Sequence, residues 1–308
     1  MAWLMIQTLI FVLVHAVPGG PAAALAGDFA TAETQAAVRR SFALDQPLAI
    51  QYVSFLTRMA QGDWGTSYFF RRPVLDLIGE RLLPTATLML GSLVLALVIG
   101  RAIGLLAARL PRGGTVVGAS AAVAYALPIF WVGQLLVLGL GLELRWFPLS
   151  GVSDPRQDLS GWRAARDIGW HAVLPLLTLT VQQAGYFTII TYSKARLEIV
   201  KGYVLAARLR GIRERHVLWT HVSRNVGPQL ATAALSRVGM LFTGAVLVET
   251  LFAWPGLGRL LSASILNRDH PVLLGVFALI TVTVILCSAL ADVVQAWLDP
   301  RIAAEYRQ

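Results

Sequence analysis

Six apolar runs constrain this chain more than any other feature. They are Ala2 to Val17, Thr85 to Ala108, Val116 to Leu142, Ala172 to Tyr192, Leu230 to Phe252 and Val272 to Leu298. A helix needs about 20 predominantly apolar residues to cross a bilayer. In lipid every backbone N–H and C=O must find its partner inside the protein, which leaves helices as the natural form of such runs. Only 14% of the 308 residues are charged and 56% are hydrophobic. A soluble domain carries about 25% charge. The reading is an all-α integral membrane protein with six transmembrane helices. Residues 1–17 form the first, 18–84 an outer segment with amphipathic helices, and 85–308 a five-helix core.

Charge sets the orientation. The formal net charge is +9, and all basic residues except Lys194 and Lys201 are arginine. In an apolar chain such a balance reflects arginines near anionic headgroups rather than nucleic acid. Arg109 and Arg112 lie in the short loop between the second and third runs. Lys194, Arg196, Lys201, Arg208, Arg210, Arg213, Arg215 and Arg224 lie between the fourth and fifth. The positive-inside rule puts both loops, and both termini, on the cytoplasmic side. Ala24-Leu25-Ala26 also resembles a signal-peptidase site. The first basic residue is Arg39, however, so a span whose basic flank lies upstream of this start is favoured.

Several chemistries are absent from the sequence. There is no phosphate-binding G-x-x-x-x-G-K-[ST] loop, so no ATPase site. There is no H-E-x-x-H or G-x-S-x-G. Cys287 is the only cysteine, which rules out an intrachain disulfide and a cysteine zinc site. The five histidines are scattered, and no resident cofactor or metal is expected.

The outer segment has its own pattern. Asp45 can cap a helix with Pro47 in its first turn, and Leu48, Tyr52, Phe55, Leu56 and Met59 fall on one face. Gly62-Asp63-Trp64-Gly65 reads as a turn. Pro73 opens a second amphipathic stretch, with Val74, Leu77, Ile78 and Leu82 on one side.

The loop at 194–228 is the densest cluster of signals. Tyr203 to Arg210 reads as a short helix stopped by Gly211. A second helix runs from about Arg213 to Arg224, and Pro228 precedes the fifth span. A short helix presenting the small residues Ala206 and Ala207 suits a groove on a partner, with Arg208 and Arg210 able to pair with carboxylates. A solvated basic loop that serves only the orientation is the alternative.

Polar groups inside spans mark a cavity, a partner or a snorkelling end. Arg101 is close enough to a helix end to snorkel. Arg237 either pairs with an acid or lines a cavity. Glu249, just before Trp254-Pro255, is either a helix-end contact or a gate. Gln182, Gln183, Ser236, Thr243 and Thr188 either line a wet path or join helices.

Ala206-Ala207-x-x-x-Gly211 resembles the EAA loop of bacterial ABC-transporter permeases, with Leu205 where that family often has Glu. His221, Arg224-Asn225 and Pro228 resemble the dipeptide, oligopeptide and nickel branch. So do Pro18-Gly19-Gly20-Pro21, Gly62 to Ser67, Arg72-Pro73-Val74, Thr85 to Leu88, Trp146-Phe147-Pro148, the stretch from Gly244 to Gly258, and Leu298-Asp299-Pro300-Arg301. The resemblance covers nearly the whole chain. It implies a type I ABC-importer permease fold in the bacterial inner membrane and transport of peptides or similar small solutes. It implies a second homologous permease, two cytoplasmic ATPases carrying ATP and Mg, and an outer binding protein as partners. It makes Tyr203, Ala206, Ala207, Arg208, Arg210, Gly211, His221, Arg224 and Asn225 an ATPase-docking coupling helix. Gly202 replaces an acid of that family, and Thr188 and Thr191 stand where an arginine is usual. A stand-alone secondary transporter or channel would show inverted repeats or midplane acids, and a membrane enzyme would show a facing nucleophile and base. Neither pattern stands out.

Overall fold

The computed structural model describes residues 2–16, 46–110, 112–156 and 159–298. Among them the chain is helical throughout, apart from turns and one isolated bridge between Thr66 and Pro73. Pro18 to Pro21, Ala24 to Ala26, Asp45 and Asp299 to Arg301 lie outside the described residues. The helices are α1 (Ala2–Ala16), α2 (Leu48–Ala60), α3 (Val74–Ala108), α4 (Gly113–Ala126), α5 (Ile129–Leu136), α6 (Gly161–Ile199), α7 (Gly202–Leu209), α8 (Glu214–His216), α9 (Ser223–Ser236), α10 (Val238–Leu251), α11 (Leu257–Leu266) and α12 (His270–Leu298). Wider π-helical turns continue α5 over Val137–Glu143 and join α8 to α9 over Val217–Val222.

Length and composition let α3, α6 and α12 each cross a membrane, and α4–α5 and α8–α10 each do so as a bent pair. The first run forms an apolar helix of 15 residues. The fourth is longer than read: α6 has 39 residues, about 58 Å at 1.5 Å per residue.

Two runs read as single spans are broken. The third turns by 96° between Ala126 and Ile129. Pro128 has no N–H to donate and pushes Leu127 into extended geometry, φ −62° and ψ 135°. Gln182 donates to the freed Leu127 carbonyl at 3.4 Å. The fifth bends by 54° at Arg237, which ends α9 and begins α10.

The chain divides into two compact units, one of Met1–Thr85 with Pro255–Ile285 and one of Ala86–Trp254 with Leu286–Gln308. In the first, Phe11 of α1 packs against Tyr52 and Phe55 of α2, and Met59 is buried. Leu48 is exposed, because the helix begins there, with Pro47 before it rather than within its first turn. Val74, Leu77 and Ile78 are buried as the amphipathic pattern requires, while Leu82 is exposed. That stretch is no separate helix: it is the first part of α3. The turn at 62–65 forms with φ of +83° at Gly62 and +78° at Gly65, and the Asp63 carboxylate accepts the Gly65 N–H at 2.9 Å.

The same unit is stitched by a fully buried acid that sequence reading passed over. Asp269, just before α12, accepts the Ser67 hydroxyl at 2.5 Å, the Tyr68 N–H at 3.0 Å and the Phe69 N–H at 3.3 Å. Burial, then the Asp269 charge, pushes the Tyr68 phenol up to about 12.

In the second unit α6 is the central post, with α3 and α4 laid against it. Close approach depends on missing side chains. A Cβ on Gly185 would stand 2.6 Å from the Ala121 carbonyl oxygen, and one on Gly104 would stand 2.5 Å from Thr191 Cβ. In lipid, where apolar side chains gain little by leaving their solvent, such backbone proximity is a main source of helix association. One core joins Leu105, Phe187, Val204, Val217 and Leu230; another joins Leu174, Leu179, Phe252 and Trp254.

Candidate functional site

The basic loop folds into a locked turn. The last turn of α6 carries Glu198, whose carboxylate is only 3% exposed. It accepts Lys201 Nζ at 2.7 Å and the Tyr203 hydroxyl at 2.9 Å, and Lys194 Nζ lies 3.9 Å away. A buried carboxylate is tolerated only when paired and hydrogen-bonded, and these groups satisfy it. The Tyr203 hydroxyl in turn accepts from Asn225 Nδ2 at 3.2 Å, and the same amide donates to the His221 carbonyl at 2.9 Å. One chain of polar contacts thus ties the end of α6, the start of α7 and the start of α9. Burial and the Glu198 hydrogen bond raise the Tyr203 phenol to about 12, so it stays protonated and donating at neutral pH.

The far end of α7 is fixed by Gly211. Its φ of +73° is a left-handed conformation that closes the helix, with the Gly211 N–H on the Arg208 carbonyl at 2.9 Å and the Ile212 N–H on the Ala207 carbonyl at 3.2 Å. Arg208 grips Glu214 with two hydrogen bonds, 3.0 and 2.8 Å, across that turn. Inside, Val204 and Ala207 sit in the same core as Phe187 and Leu105.

This burial corrects one expectation. Ala207 faces the chain's own core, so Ala206 alone of the alanine pair faces outward. The outward ridge of α7 is Leu205, Ala206 and Leu209, with Leu209 80% exposed, flanked by Arg208 and Arg210. Arg224 is exposed and His221 half-buried, its ring edge-on to His216 at 5.8 Å. Glu198 was missed, although a lone acid three residues before a lysine and five before a tyrosine was the available signal.

The polar groups of the spans lie in several separate settings. Arg101 donates through Nε to the buried Ser223 hydroxyl at 2.8 Å, and its Nη2 reaches the same oxygen. It ties α3 to the start of α9 rather than extending to a helix end. Arg237 is 6% exposed, and among the described residues it meets no acid. Nε donates to Gln183 at 3.1 Å, Nη1 to the Tyr125 hydroxyl at 3.2 Å and to Met240 Sδ at 3.2 Å. The guanidinium carbon lies 4.2 Å from the Tyr186 ring centre and 5.2 Å from that of Tyr125. Thr188 is buried.

Ser236 and Thr243 lie with Met240, Leu247 and Thr250 on one exposed stripe along α9 and α10. Their hydroxyls are turned back to the carbonyls of Thr232 and Gly239. Gln183 belongs to Arg237 and Gln182 to the break at Leu127. Glu249 is fully buried on the side of α10 that carries Leu241, Ala245 and Val248. The residues read as a path therefore do not form one surface.

Comparison with known proteins gives this arrangement a family. Residues 100–304 match the family described as "Binding-protein-dependent transport system inner membrane component", and residues 1–91 match its companion, "Binding-prot-dependent transport system membrane comp, N-term". A probable peptide ABC transporter permease of Sinorhizobium fredii is 33% identical over 97% of this chain and 94% of its own. The glutathione transport system permease of Salmonella choleraesuis is 36% identical over 97% and 94%, and that of Escherichia coli K12 is 34% identical over 96% and 93%. Among solved structures, a chain of the MetNI methionine ABC transporter superposes with a TM-score of 0.57 at 17% identity, covering 73% of this chain and 97% of that one. The chain belongs to the inner-membrane components of binding-protein-dependent transport systems: it is a permease subunit of an ABC importer, and ATP hydrolysis falls to partner subunits.

Proposed function

We propose that this permease carries peptides or glutathione-sized peptide conjugates inward, and that the α7 turn is its docking point for an ATPase. The relatives named for peptide and glutathione transport support the cargo class. The observation that carries the docking role is the exposed Leu205, Ala206 and Leu209 ridge on a helix held rigid at both ends by Glu198, Tyr203, Asn225 and Gly211. A solvated loop needs no such bracing; a helix that must transmit force does. The apolar ridge fits a groove, and Arg208, Arg210 and Arg224 at its rim can meet carboxylates.

On this reading the 194–228 loop and both termini face the cytoplasm, and the segment between α1 and α3 faces outward. The complete importer pairs this chain with a second, homologous permease, two ATPase subunits that bind ATP and Mg, and an outer binding protein. Closure of the ATPases pulls α7, and the core shared by Val204, Val217 and Phe187 passes that movement to α6 and α9.

The test is co-purification of the ATPases through a tag on this chain, for wild type, Leu209→Glu and Leu205→Glu. Both sites are exposed, so a charge there leaves the fold intact. Loss of the ATPases with the second permease still bound supports docking through α7. Retention in both variants sinks it.

A further inference from the structure

Arg237 is a cation enclosed within a span, and among the described residues its partners are all neutral: an amide oxygen, a phenol, a thioether and two aromatic faces. Its Nη2 carries no hydrogen bond among those residues, and Nη1 beside it meets only the Tyr125 hydroxyl and the weakly accepting Met240 sulfur. An ionised group in a low-dielectric setting ordinarily carries a counter-charge. Burial against Tyr125, Tyr186 and Gln183 holds the guanidinium plane fixed, which is how a fork is prepared for a planar two-oxygen acceptor. Arg237 also sits at the 54° bend between α9 and α10, beside the exposed Ser236 and Met240. Irregular backbone at membrane depth belongs where it lines a cavity or is covered by protein. The flexible Met240 thioether, 3.2 Å from Nη1, is a soft group able to move aside.

We propose that Arg237 is a carboxylate-binding residue of the transport path, taking the carboxylate of a peptide cargo on its Nη1–Nη2 end in place of the Met240 sulfur. Tyr125 and Gln183 act as positioning residues that hold the fork, and the bend places it beside Ser236 and Met240 of the exposed stripe, so that a swing of the Met240 thioether opens it. The inference rests on the peptide reading above and adds to it a specific recognition point within the permease, separate from the binding protein.

The test uses the complete importer in nanodiscs without its binding protein, and measures equilibrium binding of radiolabelled trialanine and of its C-terminal amide. Wild type is expected to hold the acid at least tenfold more tightly than the amide. Arg237→Gln should bring the acid down to the amide's level, and Arg237→Lys should fall between. Equal binding of acid and amide by wild type overturns the proposal, as does an unchanged preference in Arg237→Gln. Loss of the second permease from Arg237→Gln also overturns it, because the missing carboxylate is then that subunit's. Uptake of trialanine by the importer with its binding protein is measured in parallel. If wild type takes up none, the peptide reading fails and this inference with it; if uptake proceeds and only the acid preference is missing, the inference alone fails.

Discussion

The Tyr203 hydroxyl donates to Glu198 at 2.9 Å and accepts from Asn225, 22 residues further along the chain, at 3.2 Å. One phenol thereby closes the loop that carries α7. Tyr203→Phe removes both contacts and leaves Glu198 with Lys201 and the more distant Lys194. A hydrogen bond to a charged group contributes about 1.5–3 kcal/mol when buried. Tyr203 is 38% exposed, which puts this one at about 1 kcal/mol after solvent screening. Hydrogen exchange of the α7 amides should accelerate about fivefold, with amides in the middle of α6 unchanged. Equal exchange in wild type and variant would show that the contact does not hold the loop.

The same phenol predicts a pH response. Its folded-state pKa is about 12 against an ordinary 10, so folding favours the protonated form. The corresponding stability is fully present below about pH 10 and is lost as pH rises through about 12. Tyr68, also raised to about 12, behaves alike. Ultraviolet titration of tyrosinate should show a late-ionising fraction of the seven tyrosines. Tyr203→Phe and Tyr68→Phe should each remove part of it. A single ionisation step near pH 10 for all of them would refute the assignment.

Gly211 is required by geometry rather than by space. A Cβ there meets nothing within 4 Å, yet φ is +73°. Side chains other than Asn and Asp are disfavoured in that conformation by about 1–2 kcal/mol. Gly211→Asn should therefore keep most ATPase co-purification, whereas Gly211→Val should lose it severalfold at equal expression. The reverse order would mean that a side-chain clash with the partner, not backbone strain, governs the position.

The broad architecture was legible because membrane spans announce themselves by composition, and the loop because glycine and alanine spacing fixes a short helix. The breaks were not. Pro128 sits inside the cleanest apolar run, where an averaging window hides one missing N–H. Arg237 read as a charge that either pairs with an acid or lines a cavity, but its setting is built from Tyr125, Tyr186 and Gln183, on helices far away in sequence. Ala207 illustrates the same limit. The motif marks it, but which side of α7 turns inward depends on Phe187 and Leu105, which no local pattern reveals.

Arg101 and Ser223, 122 residues apart, form a pair whose worth can be separated from its parts. Ser223 is fully buried, and its oxygen receives two guanidinium nitrogens. Ser223→Ala leaves a charged donor without an acceptor, a loss of about 1.5–3 kcal/mol. Replacing both partners, Arg101→Met with Ser223→Ala, removes the charge as well as the acceptor and should recover part of that loss. Thermal unfolding in detergent, followed by tryptophan fluorescence, should rank wild type above the double variant and the double variant above Ser223→Ala. A double variant no better than the single one would show that Arg101 is satisfied elsewhere.

Asp269 offers the sharpest test of the segment between α1 and α3. Its carboxylate takes the Ser67 hydroxyl and the N–H groups of Tyr68 and Phe69 with no exposure to solvent. Asp269→Asn keeps the shape but exchanges one acceptor oxygen for a donor, which then points at another donor. Two of the three contacts go to one oxygen, Oδ2, and one to Oδ1, so either orientation of the amide breaks at least one. A buried donor left unsatisfied loses about 1–3 kcal/mol. The turn should open first, loosening the backbone at the Arg71–Arg72 bond, whose side chains already lie at the surface. Limited trypsin digestion of the purified importer should cut there about tenfold faster in Asp269→Asn than in wild type, with cleavage near Arg208 and Arg210 unchanged. Identical cutting at 71–72 would mean that the turn is held by the Thr66–Pro73 bridge without help from the acid.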